Sequence, residues 1–232
     1  MASLPWLETL NSDRATEIRS ISLSKLVRDD LLTRIVGGHL QPGERINEPD
    51  VARRLEVSRV PVREALRELE SSGLVVSRKH AGVFVRALGA AEVRNLYEVR
   101  GALDGLAGQR AAGLPIDQRH ALRDRLEHAI DQMGAAAREG ALQRYYRENL
   151  QFHWDIVLAA GNAELESSYR ALIHKLHLSR LRNLAQADSM RHSIAEHQAI
   201  AHALGEGDPV VARQLIESHV NDAWTRLNKE AS

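Results

Sequence analysis

Asn149 and His153 stand four residues apart, a spacing that puts both side chains on one face of an α-helix. His197 and His219 lie in two later segments that also have helical spacing. Three helices can therefore bring three imidazoles and one amide oxygen to a single point. Donors of this kind suit a divalent ion such as Zn²⁺, Ni²⁺, Mn²⁺ or Fe²⁺. The chain has no cysteine, which excludes a thiolate zinc knot and any disulfide framework. Spacing alone leaves a second use open, because a helical histidine often serves as a hydrogen-bonded core residue. Most of the 11 histidines fit no ligand pattern, and His174, His177, His192 and His202 are assigned no ligand role.

Three histidines around a metal could also activate water, so a metal-dependent hydrolase is one alternative. Such a reaction needs a general base beside the ion. Asp155 is two residues from His153 and Glu196 adjoins His197, so helical geometry turns both away. No HExxH motif, Ser/His/Asp order or phosphate-binding glycine loop occurs. A pure metal sensor, in which the cation itself is the signal, is the other alternative.

A second group of residues points to nucleic acid. In the stretch from Leu55 to Val76, Pro61 suits the first turn of a helix, Ser58 stands at its N-cap and Gly73 at its left-handed end. Val62, Ala65, Leu66 and Leu69 recur at helical spacing and make an apolar face. That leaves Arg59 and Arg63 near the N-terminal end, where a helix entering the major groove carries its readers. A short helix from Glu48 or Pro49 to Leu55 and a tight Glu56-Val57-Ser58 turn complete a helix-turn-helix. Two β-prone runs between Leu74 and Val85 flank the basic turn Arg78-Lys79-His80-Ala81-Gly82 and read as a hairpin. A hairpin after a helix-turn-helix is the winged form, whose tip can reach phosphates or the minor groove with Arg78, Lys79 and His80.

The rest of the chain must position these groups. At 232 residues and 44% hydrophobic content it suits two modest domains, and 4% aromatic content argues against a β-sandwich. Residues 1–20 read as a flexible arm in which Trp6 and Leu7 could dock. A helix is expected from Leu23 to Val36, with Leu26, Leu31 and Ile35 in the core, before the Pro42-Gly43 turn. After Ala87–Ala91 every long segment has helical spacing, with helices expected at 90–112, 117–138, 142–160, 163–185, 189–204 and 208–229. The fold class is therefore mainly α: a winged helix-turn-helix over 21–88, then an all-α bundle over 89–232. Net charge is zero, yet Ile21–Leu88 carries 12 Lys/Arg against 9 Asp/Glu, a small surplus that permits phosphate contact. No basic segment leads into an apolar run and no 18 apolar residues are consecutive, so neither a signal peptide nor a membrane span is expected. These features together suggest the cytoplasm.

The run Ser58-Arg59-Val60-Pro61-Val62-Arg63-Glu64-Ala65-Leu66 resembles the signature of GntR-type winged-helix regulators. Leu96–Leu103, Phe152-His153, Ala159–Asn162, Glu196-His197 and Gly207-Asp208 resemble the helical ligand-binding (FCD) domain of their FadR-like branch. The resemblance covers roughly residues 20–228. It implies a DNA-binding transcription regulator rather than an enzyme, acting as a repressor and homodimer on a palindromic double-stranded operator. DNA contact falls to Ser58, Arg59, Val60, Arg63, Arg78, Lys79 and His80. Asn149, His153, His197 and His219 match the branch's metal-binding pattern, with one departure: Asn149 stands where an aspartate is usual. A neutral amide should weaken the metal and leave it more attractive to an anion. Arg100 lies within a matching Glu-Val-Arg stretch and would grip a small carboxylate effector; an internal salt bridge with Asp104 at i+4 is the other use open to it.

Overall fold

The computed structural model describes residues 23–180 and 187–229. The expected arm at 1–20 and the expected helical residues 181–185 lie outside the described residues. The chain divides into two compact units at Gly89–Ala90, with a second division after Leu172.

The first unit contains α1 (Leu23–Val36), β1 (Arg45–Ile46), α2 (Glu48–Arg54), α3 (Arg59–Ser71), β2 (Val75–Arg78) and β3 (Gly82–Val85). The strands form an antiparallel sheet in the order β1-β3-β2, with Arg45 opposite Phe84 and Arg78 opposite Gly82. The hairpin is thus where sequence reasoning put it. Strand β1 is an addition, and two residues are too few to display alternation. On α1 the buried stripe is Val27, Leu31 and Ile35, at i, i+4 and i+8. Leu26, expected in the core, lies on the flank of that stripe and is only half-buried.

Val62, Ala65, Leu66 and Leu69 of α3 join the α1 stripe, Ile46, Val51, Leu74, Val75 and Val85 in one apolar cluster. Helix α3 ends on Gly73, whose φ of 72° is left-handed. The Gly73 N–H donates to the Glu70 carbonyl and the Leu74 N–H to the Leu69 carbonyl, both at 2.9 Å, which satisfies two otherwise orphaned acceptors. Gly73→Ala should cost about 1–2 kcal/mol through the left-handed backbone. An unchanged urea midpoint for that variant would contradict this account of the helix end.

The second unit contains α4 (Ala90–Ala112), α5 (Ile116–Arg138), α6 (Leu142–Ala159), the part of α7 (Ala163–Arg180) up to Leu172, α8 (Ala187–Glu206) and α9 (Pro209–Lys229). It is all helical, as expected, and α5 opens one residue early, directly after Pro115 at its N-cap. Helix α6 is the centre of the bundle: Phe152 to Val157 are buried without interruption, so the helix has no solvent face there. Helices α4 and α9 pack closely because glycine lines the seam. A Cβ on Gly108 would sit 2.3 Å from Ile216 Cδ1, and one on Gly105 would sit 2.6 Å from Glu217 Oε1. This approach brings His219 of α9 beside Arg100 and Asp104 of α4. Among the described residues no helix is long and apolar enough to cross a membrane.

Candidate functional site

The three helices predicted to converge do so. His153 of α6 and His197 of α8 are fully buried, and His219 of α9 nearly so. Their ring centroids lie 4.5 to 5.4 Å apart, and one nitrogen from each falls within 4.8 Å of the other two. Bonds of about 2.0–2.1 Å to one ion need only a small inward closure from there. Neither ring nitrogen of His197 has a hydrogen-bond partner among the described residues. A core histidine of the ordinary kind is hydrogen-bonded, so these bare nitrogens fit a metal ligand better. Burial, aided by repulsion from His219 and His153, holds the His197 pKa well below the usual 6.5. Burial also lowers His219, against the pull of Glu196. Both rings are therefore in the neutral form that coordinates.

Two carboxylates stand behind the histidines, and sequence reasoning gave neither this role. His219 Nδ1 is 2.6 Å from Glu196 Oε2, and Arg226 donates to both Glu196 oxygens at 2.7 and 2.9 Å. Partial burial would raise the Glu196 pKa, but the bonds from His219 and Arg226 overcome it and bring it to about 2. Held this way, His219 keeps Nδ1 on the carboxylate and turns Nε2 to the other histidines. Glu196 does point away from the cluster's centre, as expected, but its orienting role depends on a partner 23 residues away that no local spacing reveals.

On the other side Asp104 Oδ1 lies 3.4 Å from His153 Nδ1, while Asp104 Oδ2 accepts from Arg100 Nε at 3.0 Å. Burial pushes the Asp104 carboxyl up and Arg100 opposes it. The salt bridge anticipated for Arg100 is therefore present, and its Nη2 is still buried without a hydrogen-bond partner. Asn149 is buried one turn before His153 on α6. Asp155 accepts from Gln151 at 2.8 Å, and Glu196 is engaged by His219 and Arg226 as described.

On the first unit Ser58, Arg59, Arg78, Lys79 and His80 are all exposed. Ser58 is the N-cap residue of α3 by backbone conformation, but its side chain makes no capping hydrogen bond. Val60 is 63% exposed at the start of α3, where an apolar side chain gains nothing from the core and could meet a thymine methyl. Arg63 is exposed but tethered: its Nε donates to Glu48 at 2.9 Å, a link from α3 to α2. Arg78 lies over the Phe84 ring at 4.4 Å, which aligns it along the wing. His80, at φ 60°, makes the tip of the hairpin turn.

Residues 23–85 match the family described as bacterial regulatory proteins, gntR family, and residues 95–222 match the FCD domain. The chain is 32% identical over 200 residues to the "Probable D-xylose utilization operon transcriptional repressor" of Paenarthrobacter nicotinovorans, covering 86% of each protein. It is 35% identical over 193 residues to the "Nta operon transcriptional regulator" of Aminobacter aminovorans, covering 83% of this chain and 88% of that one. The solved structure of E. coli McbR/YncC shares the fold, with a TM-score of 0.76 at 21% identity over 91% of this chain and all of the other. The chain belongs to the GntR family of bacterial regulatory proteins, in the branch that carries an FCD domain, and is a DNA-binding transcription regulator rather than an enzyme.

Proposed function

We propose that this regulator is a cytoplasmic homodimeric repressor whose helical domain binds one divalent metal ion and a small organic acid. Residues 21–88 would read the operator, following an N-terminal arm at 1–20, and 89–232 would bind the effector and dimerise. Ser58, Arg59, Val60 and Arg63 would meet the major groove, with Arg78, Lys79 and His80 on the flanking backbone or minor groove. His153, His197 and His219 would hold the metal, Asn149 would add a weak oxygen donor, and Arg100 would receive the effector carboxylate. The observation that carries the metal reading is the buried His197 ring, with two bare nitrogens between two other histidines. Repression is supported by the D-xylose operon relative, named a repressor.

A dimer is favoured because one recognition helix spans only a few base pairs, whereas two related by a two-fold axis read a palindrome. Val99 and Leu106, 51% and 38% exposed, lie two turns apart on α4 with exposed Ala102 between them. That stripe is a surface a second copy could cover. Sedimentation of the intact protein at micromolar concentration should give a dimer, and Val99→Glu with Leu106→Glu should weaken it. A strictly monomeric parent would overturn this assembly.

Asn149→Asp should tighten the metal by adding a formal charge beside it. The same charge should weaken an anion that also uses the metal. Calorimetric titrations of Zn²⁺, and of acetate into the Zn²⁺-loaded protein, test this directly. Tighter zinc together with tighter acetate would contradict the electrostatic argument.

The lowered histidines also set a pH dependence for the metal-free protein. As pH falls through the usual 6.5, the unfolded chain takes up protons at His197 and His219 that the folded chain refuses. Stability is therefore full above that pH and falls below it. A melting temperature that stays level or rises between pH 7.5 and 5.5 would contradict the burial of these rings.

A further inference from the structure

The two carboxylates behind the histidines are held unequally. Glu196 is closed into a fork by both terminal nitrogens of Arg226. Asp104 is held by Arg100 through Nε, while Arg100 Nη2 is buried with no hydrogen-bond partner among the described residues. Both residues are 1% exposed, so their charges are scarcely screened by water. Among the described residues Asp104 Oδ1 makes no well-formed hydrogen bond, the Tyr169 hydroxyl interacting with this carboxyl only weakly, and it lies 3.4 Å from His153 Nδ1, longer than a formed bond. One carboxylate thus stands between a cation and a histidine. An anion arriving at Arg100 must share that single positive charge with it.

We propose that Asp104 is a positioning residue that couples anion capture at Arg100 to metal affinity at His153, an inference that rests on the metal and carboxylate reading above. Without an anion, the pull of Arg100 keeps Asp104 from closing on His153. An anion on Arg100 relaxes that pull, and Asp104 moves onto the His153 Nδ1–H. A carboxylate at Nδ1 makes the ring a stronger donor and fixes Nε2 toward the ion. Anion and metal then strengthen each other by the same factor, as linkage requires. The locked Glu196 pair offers no such freedom, since both of its oxygens are already engaged.

The test uses the intact protein, Co²⁺ followed by its visible absorption, acetate as the anion and acetamide as the neutral control. In the parent, acetate should strengthen Co²⁺ binding several-fold and acetamide should not. Asp104→Asn removes the orienting charge and leaves Arg100 unneutralised. With acetate present its Co²⁺ affinity should fall several-fold below the parent's, acetate should bind it more tightly than the parent, and the acetate enhancement should vanish. A parental Co²⁺ affinity in Asp104→Asn with acetate present, or an enhancement that survives there, overturns the coupling. If Asp104→Asn does not fold, Arg100→Gln decides: removing the shared cation should tighten Co²⁺ and abolish the enhancement, and an enhancement that persists overturns the proposal. His197→Ala separates the two levels. Parental Co²⁺ binding in that variant removes the metal reading and this inference with it. Lost binding there beside an unaltered Asp104→Asn removes the coupling alone.

Discussion

His197→Ala abolishes stoichiometric metal binding. The ring sits at the meeting point of α6, α8 and α9, fully buried, with both nitrogens bare and its charged form disfavoured. Alanine leaves two imidazoles and a neutral amide, too few donors to hold a divalent ion in a dry site. The loss in affinity should exceed the 10- to 100-fold typical of disturbing an outer partner, so roughly 100-fold or more is expected. Calorimetric titration with Zn²⁺ measures it, and loss of the zinc-induced rise in melting temperature should accompany it. The metal-free variant should lose about 2–5 kcal/mol from the cavity left by the buried ring, so the zinc-induced rise is read against its own metal-free melting temperature. Zinc bound one per chain with parental affinity in His197→Ala would show that the metal lies elsewhere.

Arg59→Ala lowers operator affinity by about 1–3 kcal/mol, roughly 5- to 150-fold, and flattens sequence preference at the bases it reads. Arg59 opens α3, and no carboxylate holds it within the described residues, whereas Arg63 one turn later is tied to Glu48. A free guanidinium at a helix start can adopt the bidentate geometry that guanine requires. The first residues of the recognition helix are the ones that reach base edges. Arg63→Ala should cost less, because a helix–helix ion pair already consumes part of its bonding capacity. Anisotropy titrations at matched salt separate the two, since phosphate contacts also weaken as salt rises. An Arg59→Ala protein with parental affinity and specificity would put the reading elsewhere on the unit.

Local rules made much of this molecule legible. The α3 stripe Val62, Ala65, Leu66 and Leu69 follows from helical period, and the end at Gly73 from the left-handed conformation that glycine tolerates. The histidine cluster was visible because His153, His197 and His219 fall on separate helices, which a bundle can bring together. Asp104, Glu196 and Arg226 were harder to place. Each is an ordinary charged residue on an amphipathic helix, and its role appears only when the helices pack. The α4–α9 approach depends on Gly105 and Gly108, which in sequence read simply as weak helix formers. Strand β1 escaped for a different reason: its two residues pair only because β3 is already in place.

The most direct test of the account is selection of duplexes from a random DNA pool by the intact protein, followed by titration of the enriched sequence with and without bound zinc. A two-fold symmetric site should be bound at least 1000-fold, on the order of typical specific recognition, more tightly than unrelated DNA at physiological salt. Zinc with a small carboxylate should change that affinity in the parent and leave it unchanged in His197→Ala. Enrichment of no sequence, or an identical response to zinc and carboxylate in His197→Ala, would contradict the account.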